Sequence, residues 1–217
     1  MGCDANLRIY NRQYIRDLTV ETGFWFSQPG IYNAAMMFKD FRYLDKKIPV
    51  TIAIWSGGTT KLQEHFEWIK KTCNGGKAVM VLDVTATGSL EAAALSEIYK
   101  EGKQQFYGVL HKLNCDLIWL DDSLAAMRVY DVLRAVEVLE YWPGIKSGDC
   151  SFYACGRESL YVQLGSIVNS RIKNIRIVDG MKKYADWVGQ RYYDPFDIHS
   201  FIIPGILQHF DLDDFKI

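Results

Sequence analysis

Along the chain the spacing of apolar and polar positions changes several times, and each change marks an element. Residues 18 to 26 and 30 to 38 are rich in aromatic and other apolar side chains and are separated by Ser27-Gln28-Pro29. That punctuation predicts a hairpin of two antiparallel strands, with Ala34 to Phe38 equally compatible with a helix. Asp45-Lys46-Lys47 makes a polar turn before Pro49 to Trp55, a nearly continuous apolar run suited to a strand covered on both faces.

Ser56-Gly57-Gly58-Thr59-Thr60 follows, and Lys61 to Cys73 then carries Leu62, Phe66 and Ile69 at helical spacing. Asn74-Gly75-Gly76 stops that helix, and Lys77 to Val84 supplies another buried strand. Strand, glycine turn, helix and strand form a crossover of the kind that builds a parallel sheet. Residues 85 to 118 read as a long excursion at the carboxyl edge of the sheet, and 1 to 17 as an N-terminal extension. A helix is predicted from Leu120 to Trp142, with Leu124, Met127, Val132 and Val136 on its apolar side and Pro143-Gly144 closing it. Arg128 and Asp131, three apart on it, are placed to form a local ion pair. Cys150 to Cys155, Gly156 and the apolar segment Tyr161 to Ser170 outline a strand-to-helix corner. A strand at Ile172 to Val178, a short helix at Tyr184 to Val188, a turn at Arg191 to Pro195 and an apolar segment at Ser200 to Leu207 complete the chain.

A length of 217 residues, about half of them apolar, suits a single domain spanning 1 to 217. The expected class is α/β: a mainly parallel sheet flanked by helices, with an N-terminal antiparallel hairpin. The charge balance of 25 basic and 26 acidic residues, with no basic stripe, argues against nucleic acid and anionic membranes as partners. No apolar run reaches the ~18 to 20 residues of a membrane span. Met1-Gly2-Cys3-Asp4 lacks the regions of a secretory signal. The chain as written reads as soluble, with surface anchoring expected only if Cys3 follows a removed lipoprotein signal. Five cysteines without a CxxC pair and four scattered histidines imply no metal site, disulfide framework or other cofactor. Trp25, Trp55, Trp119 and Trp187 read as core, with a sugar-stacking surface as the alternative.

The corner is where chemistry is expected. A nucleophile elbow reads G-x-S-x-G because the sharp turn requires small residues two before and two after the nucleophile. With Gly156 at the first small position, the nucleophile's place falls on Glu158 and the second small position on Leu160. Centring on Cys155 supplies a thiol but sets Tyr153 and Arg157 where small residues belong. Ser159 is a displaced third candidate. His199 or His209 would serve as base, and Asp194 or Asp197 as its orienting carboxylate.

Taken together, the order of elements resembles the α/β-hydrolase fold and, more narrowly, the acetyl xylan esterase branch. Ser56-Gly57-Gly58, the strand end Val81 to Gly88, the helical stretch Ser123 to Ala135 and the corner carry this resemblance, which covers residues 18 to 215. It implies that Gly57 and Gly58 supply oxyanion-hole N–H groups, a plain glycine turn being the other reading. The departures are specific. The family's serine falls on Glu158, and its further strands, whose ends carry the acid and the histidine, would follow Asp211 to Phe215. The resemblance therefore implies a truncated, esterase-like domain that has lost hydrolysis and acts as a binding or interaction module for a carbohydrate or ester ligand. The alternative is an active carboxylesterase or acetyl esterase using substitute residues or residues outside this chain. An open sheet edge implies association with a second copy or another domain.

Overall fold

In a computed structural model, the described residues are 3–91, 109–192 and 197–215. Seven strands form one sheet: β1 (Arg8–Ile15), β2 (Leu18–Gln28), β3 (Ile31–Asp40), β4 (Ile48–Ile54), β5 (Ala78–Asp83), β6 (Ile145–Cys155) and β7 (Ile175–Val178). Their spatial order is β1-β2-β3-β5-β4-β6-β7. The pairs from β1 through β3 to β5 are antiparallel, and those among β5, β4, β6 and β7 are parallel. The expected α/β class and N-terminal hairpin are both present, and Ala34 to Phe38 lies in strand, paired on both sides.

Side-chain alternation sorts the core into two layers. Val50, Ile52 and Ile54 of β4, with Met80 and Leu82 of β5, face α3 (Leu124–Val138) and α4 (Ser159–Val168). Ala53, Val79 and Val81 face the opposite way, toward Ile69 and Cys73 of α1 (Leu62–Asn74). Each fully buried aliphatic side chain contributes roughly 1.5–3 kcal/mol. Continuous apolar strands are thus explained by helices on both faces.

Several elements differ from expectation, among them β6, which begins at Ile145 rather than Cys150, and β7, which begins at Ile175 rather than Ile172. Within residues 1 to 17, Arg8–Ile15 adds an edge strand to β2, though its mostly exposed side chains give little hydrophobic signal. The stretch assigned to an excursion ends in helix α2 (Val109–Trp119). The helix expected from Leu120 begins at Leu124, because Asp121 turns left-handed at φ +57° and the Ser123 hydroxyl accepts the N–H of Ala126 as a cap. It also ends earlier, at Val138. The last described segments are α5 (Tyr184–Val188) and three short 3-10 turns at Ile198–Phe201, Ile206–Gln208 and Leu212–Asp214. Among the described residues, no helix is long and apolar enough to cross a membrane.

Candidate functional site at the carboxyl edge of the parallel strands

Open α/β sheets present ligands with the loops outside the carboxyl ends of their strands. After β4, Gly57 and Gly58 both take positive φ, +76° and +46°. The N–H of Gly58 donates to the Trp55 carbonyl at 3.1 Å, and the Trp55 indole N–H donates back to the Gly58 carbonyl at 2.8 Å. The Gly58 N–H expected to face an oxyanion is therefore engaged within its own turn. A Cβ on Gly58 would lie 2.0 Å from Asp83 Oδ1. Asp83 is buried at the end of β5, where it accepts the N–H of Thr59 at 2.7 Å, the Thr59 hydroxyl, and the N–H and hydroxyl of Ser89 at 2.8 and 2.7 Å. The glycine turn lets the loop after β4 close onto this carboxylate.

β6 passes into α4 through a corner whose left-handed residue is Gly156, at φ +72°. Glu158 and Ser159 are right-handed helical, with φ near −61° and −56°. The apex consequently carries no side chain, and Glu158 belongs to the turn that follows it. Its carboxyl folds back toward the apex, with Oε2 3.3 Å from where a Cβ on Gly156 would stand. Glu158 is only 8% exposed. Burial pushes its carboxyl above the usual range, against a smaller opposing pull from the Arg128 charge.

Neither neighbour is better placed as a nucleophile. Ser159 is fully buried, its hydroxyl accepting from the Gln163 amide at 3.3 Å. The Cys155 thiol is pushed up by burial and by the Asp179 and Glu158 carboxylates. Among the described residues, no hydrogen bond joins Glu158, Cys155 or Ser159 to a histidine. His209 is exposed, and Asp194 lies outside the described residues.

Beneath the corner lies a buried polar cluster. Arg128, with 0% exposure, donates from Nη1 to Asp197 Oδ2 at 2.7 Å and to the Tyr161 hydroxyl at 3.0 Å. Its Nε donates to the Thr85 carbonyl at 3.0 Å. The Tyr161 hydroxyl donates to the Ser200 carbonyl at 3.1 Å. Burial works against the charged guanidinium, but the Tyr161 and Asp197 oxygens together outweigh it and raise its pKa. The expected Arg128–Asp131 pair does not form. Asp131 instead accepts the Thr85 N–H at 2.7 Å and the Ser27 hydroxyl, and burial raises its pKa. Arg128 Nη2 and Asp197 Oδ1 are buried without a hydrogen-bond partner among the described residues.

The 3-10 turn Ile198–Phe201 also brings His199 against α2. His111 Nδ1 lies 3.3 Å from His199 Nε2, and His111 Nε2 lies 3.7 Å from Cys115 Sγ. The spacing of four between His111 and Cys115 was the readable signal for this contact. His199 is 88 positions from His111 and gave none. Trp25 and Trp55 are buried as expected, and Trp187 is partly buried against Tyr184. Trp119 is 88% exposed and is not core.

A mainly parallel sheet with helices on both faces, an antiparallel N-terminal part and a glycine-pivoted corner between β6 and α4 define an α/β-hydrolase-like fold. Solved structures with this architecture include a candidate acetyl xylan esterase from Bacteroides fragilis NCTC 9343, at TM-score 0.63 and 11% identity over 76% of this chain and 46% of that one. The acetyl xylan esterase of Paenibacillus sp. R4 matches at TM-score 0.62 and 12% identity, over 90% of this chain and 60% of its own. Acetyl xylan esterase 1 of Thermoanaerobacterium sp. JW/SL YS485 matches at 0.56 and 10%, over 95% and 63%. The chain thus spans 46% to 63% of the length of these three structures. No family model and no curated protein matches the sequence. At these identities the likeness is one of fold.

Proposed function

We propose that this chain is an esterase-like domain that binds a carbohydrate or ester ligand at the carboxyl edge of its parallel strands without hydrolysing it. The observation that carries this reading is the corner. Gly156 occupies the apex, and the buried Glu158 carboxyl lies over the space from which a side chain there would emerge. Burial raises the pKa of that carboxyl, which favours its neutral form, a hydrogen-bond donor rather than a nucleophile. Acetylated sugars are the ligand class suggested by the acetyl xylan esterases of like fold.

The reading is tested by calorimetric titration with acetylated xylo-oligosaccharides alongside labelling by a fluorophosphonate probe. Heat of binding without acetate release, and no serine adduct, are expected. Stoichiometric serine labelling would overturn it. The same reading includes association of the short strand β7 with a second copy or another domain, since its outer edge has no strand partner among the described residues. A monomeric mass by light scattering at high concentration would remove the self-association part.

A further inference from the structure

His111 and Cys115 share one face of α2, with the thiol 3.7 Å from His111 Nε2. The opposite ring nitrogen, Nδ1, lies 3.3 Å from His199 Nε2, with ring centroids 4.8 Å apart. When His111 donates its Nδ1–H to His199, the Nε2 lone pair is left facing the sulfur. A thiol, an imidazole within reach and a third group that fixes the imidazole's orientation are the recognisable parts of an activated nucleophile.

None of the other cysteines has this equipment. Burial pushes the thiols of Cys73 and Cys150 up to about 12. Cys155 is also raised, by burial and by the neighbouring carboxylates. Cys3, only partly buried like Cys115, directs its thiol at the Ser27 carbonyl, at 3.8 Å. A carbonyl can accept a hydrogen bond from a thiol but does not take its proton.

We infer that Cys115 is a covalent modification site for electron-poor alkenes of the α,β-unsaturated carbonyl class, with His111 as proton carrier and His199 as the residue that positions it. The thiol proton passes to His111 Nε2, and the sulfur forms a bond to the β-carbon of the alkene. The π electron pair moves to the α-carbon, which takes the proton back from His111. The addition has no leaving group and needs no oxidant or water. It goes beyond ligand binding at the corner and uses neither Gly156 nor Glu158.

The test is time-resolved labelling of the full chain with N-ethylmaleimide, each cysteine followed by peptide mass spectrometry. Cys115 is expected to react ahead of Cys3, and His111→Gln to slow Cys115 by at least about tenfold, a threshold below the ~10²–10⁴-fold that a positioned base typically supplies. His199→Gln is expected to slow it less, and both variants to leave Cys3 unchanged. Continued protection of Cys73 and Cys150 reports an intact fold. Cys3 reacting first in the wild type, or an unchanged Cys115 rate in a folded His111→Gln protein, would overturn the inference. Should His111→Gln expose Cys73 and Cys150, the wild-type order alone decides: Cys115 ahead supports it and Cys3 ahead overturns it.

Discussion

Arg128 and Asp131, one helical turn apart, do not meet; they hold opposite sides of the same backbone residue. Arg128 Nε donates to the Thr85 carbonyl and Asp131 accepts the Thr85 N–H. α3 thereby fixes the chain as it leaves β5, at the carboxyl edge of the parallel strands. Both side chains are fully buried, so their bonds are not exchanged for water.

Asp131→Ala leaves the Thr85 N–H and the Ser27 hydroxyl without their acceptor. At about 1–3 kcal/mol for each unsatisfied buried group, a loss of about 2–6 kcal/mol is expected. Asp131→Asn keeps an oxygen for Thr85 and should lose less. Urea unfolding at fixed pH measures both, and equal losses would contradict the assignment of these bonds.

Asp197→Ala strands the Arg128 guanidinium in the interior. Breaking a buried ion pair from one side costs about 3–5 kcal/mol. The value here is expected at the low end, because Tyr161 and Thr85 still accept from Arg128 and the Asp197 side chain is 14% exposed. The loss should appear as a lower urea midpoint together with faster proteolysis within 197–215, the segment this pair ties to α3.

The two glycine turns should respond unequally to alanine. At Gly156, positive φ costs about 1–2 kcal/mol for a residue with a Cβ, and the added atom meets only the movable end of Glu158, at 3.3 Å. At Gly58 the same strain is joined by a 2.0 Å approach to Asp83, a carboxylate held by four hydrogen bonds. Thermal unfolding should therefore show a larger loss for Gly58→Ala than for Gly156→Ala.

Glu158 gives a pH signature with a definite sign. Its folded-state pKa is raised above the ordinary value of 4.5, chiefly by burial. Over the interval from that value to the raised one the native state binds more protons than the unfolded state, so stability falls as pH rises through it. Glu158→Gln removes this dependence. Relative to wild type it should gain stability as pH rises above 4.5 and show no such gain below it, measured by urea midpoints across pH.

The central strands were legible because Val50 to Ile54 and Ala78 to Leu82 are apolar on both faces, a pattern with few other uses. The hairpin was legible from Ser27-Gln28-Pro29. β1 was not, since Arg8, Arg12 and Gln13 are solvated and the strand is held by backbone bonds to β2. The end of α2 and the start of α3 merged in the sequence, where Leu120 continues an apolar period that Asp121 breaks by its backbone conformation. The corner was found from Gly156, but its pivot was not: sequence spacing put the nucleophile's place on Glu158, whereas the left-handed turn falls on the glycine itself. The spacing of Arg128 and Asp131 suggests a pair within one helix, whereas the carboxylate that Arg128 meets is Asp197, 69 positions distant. Contacts of that span depend on how the C-terminal segment returns over the sheet, which local pattern does not encode.

Loss of hydrolysis is tested most directly by the steady-state turnover of p-nitrophenyl acetate by the wild-type protein and by Glu158→Gln. Neither is expected to exceed the rate in buffer. Sustained turnover by the wild type that disappears in the variant would contradict the loss.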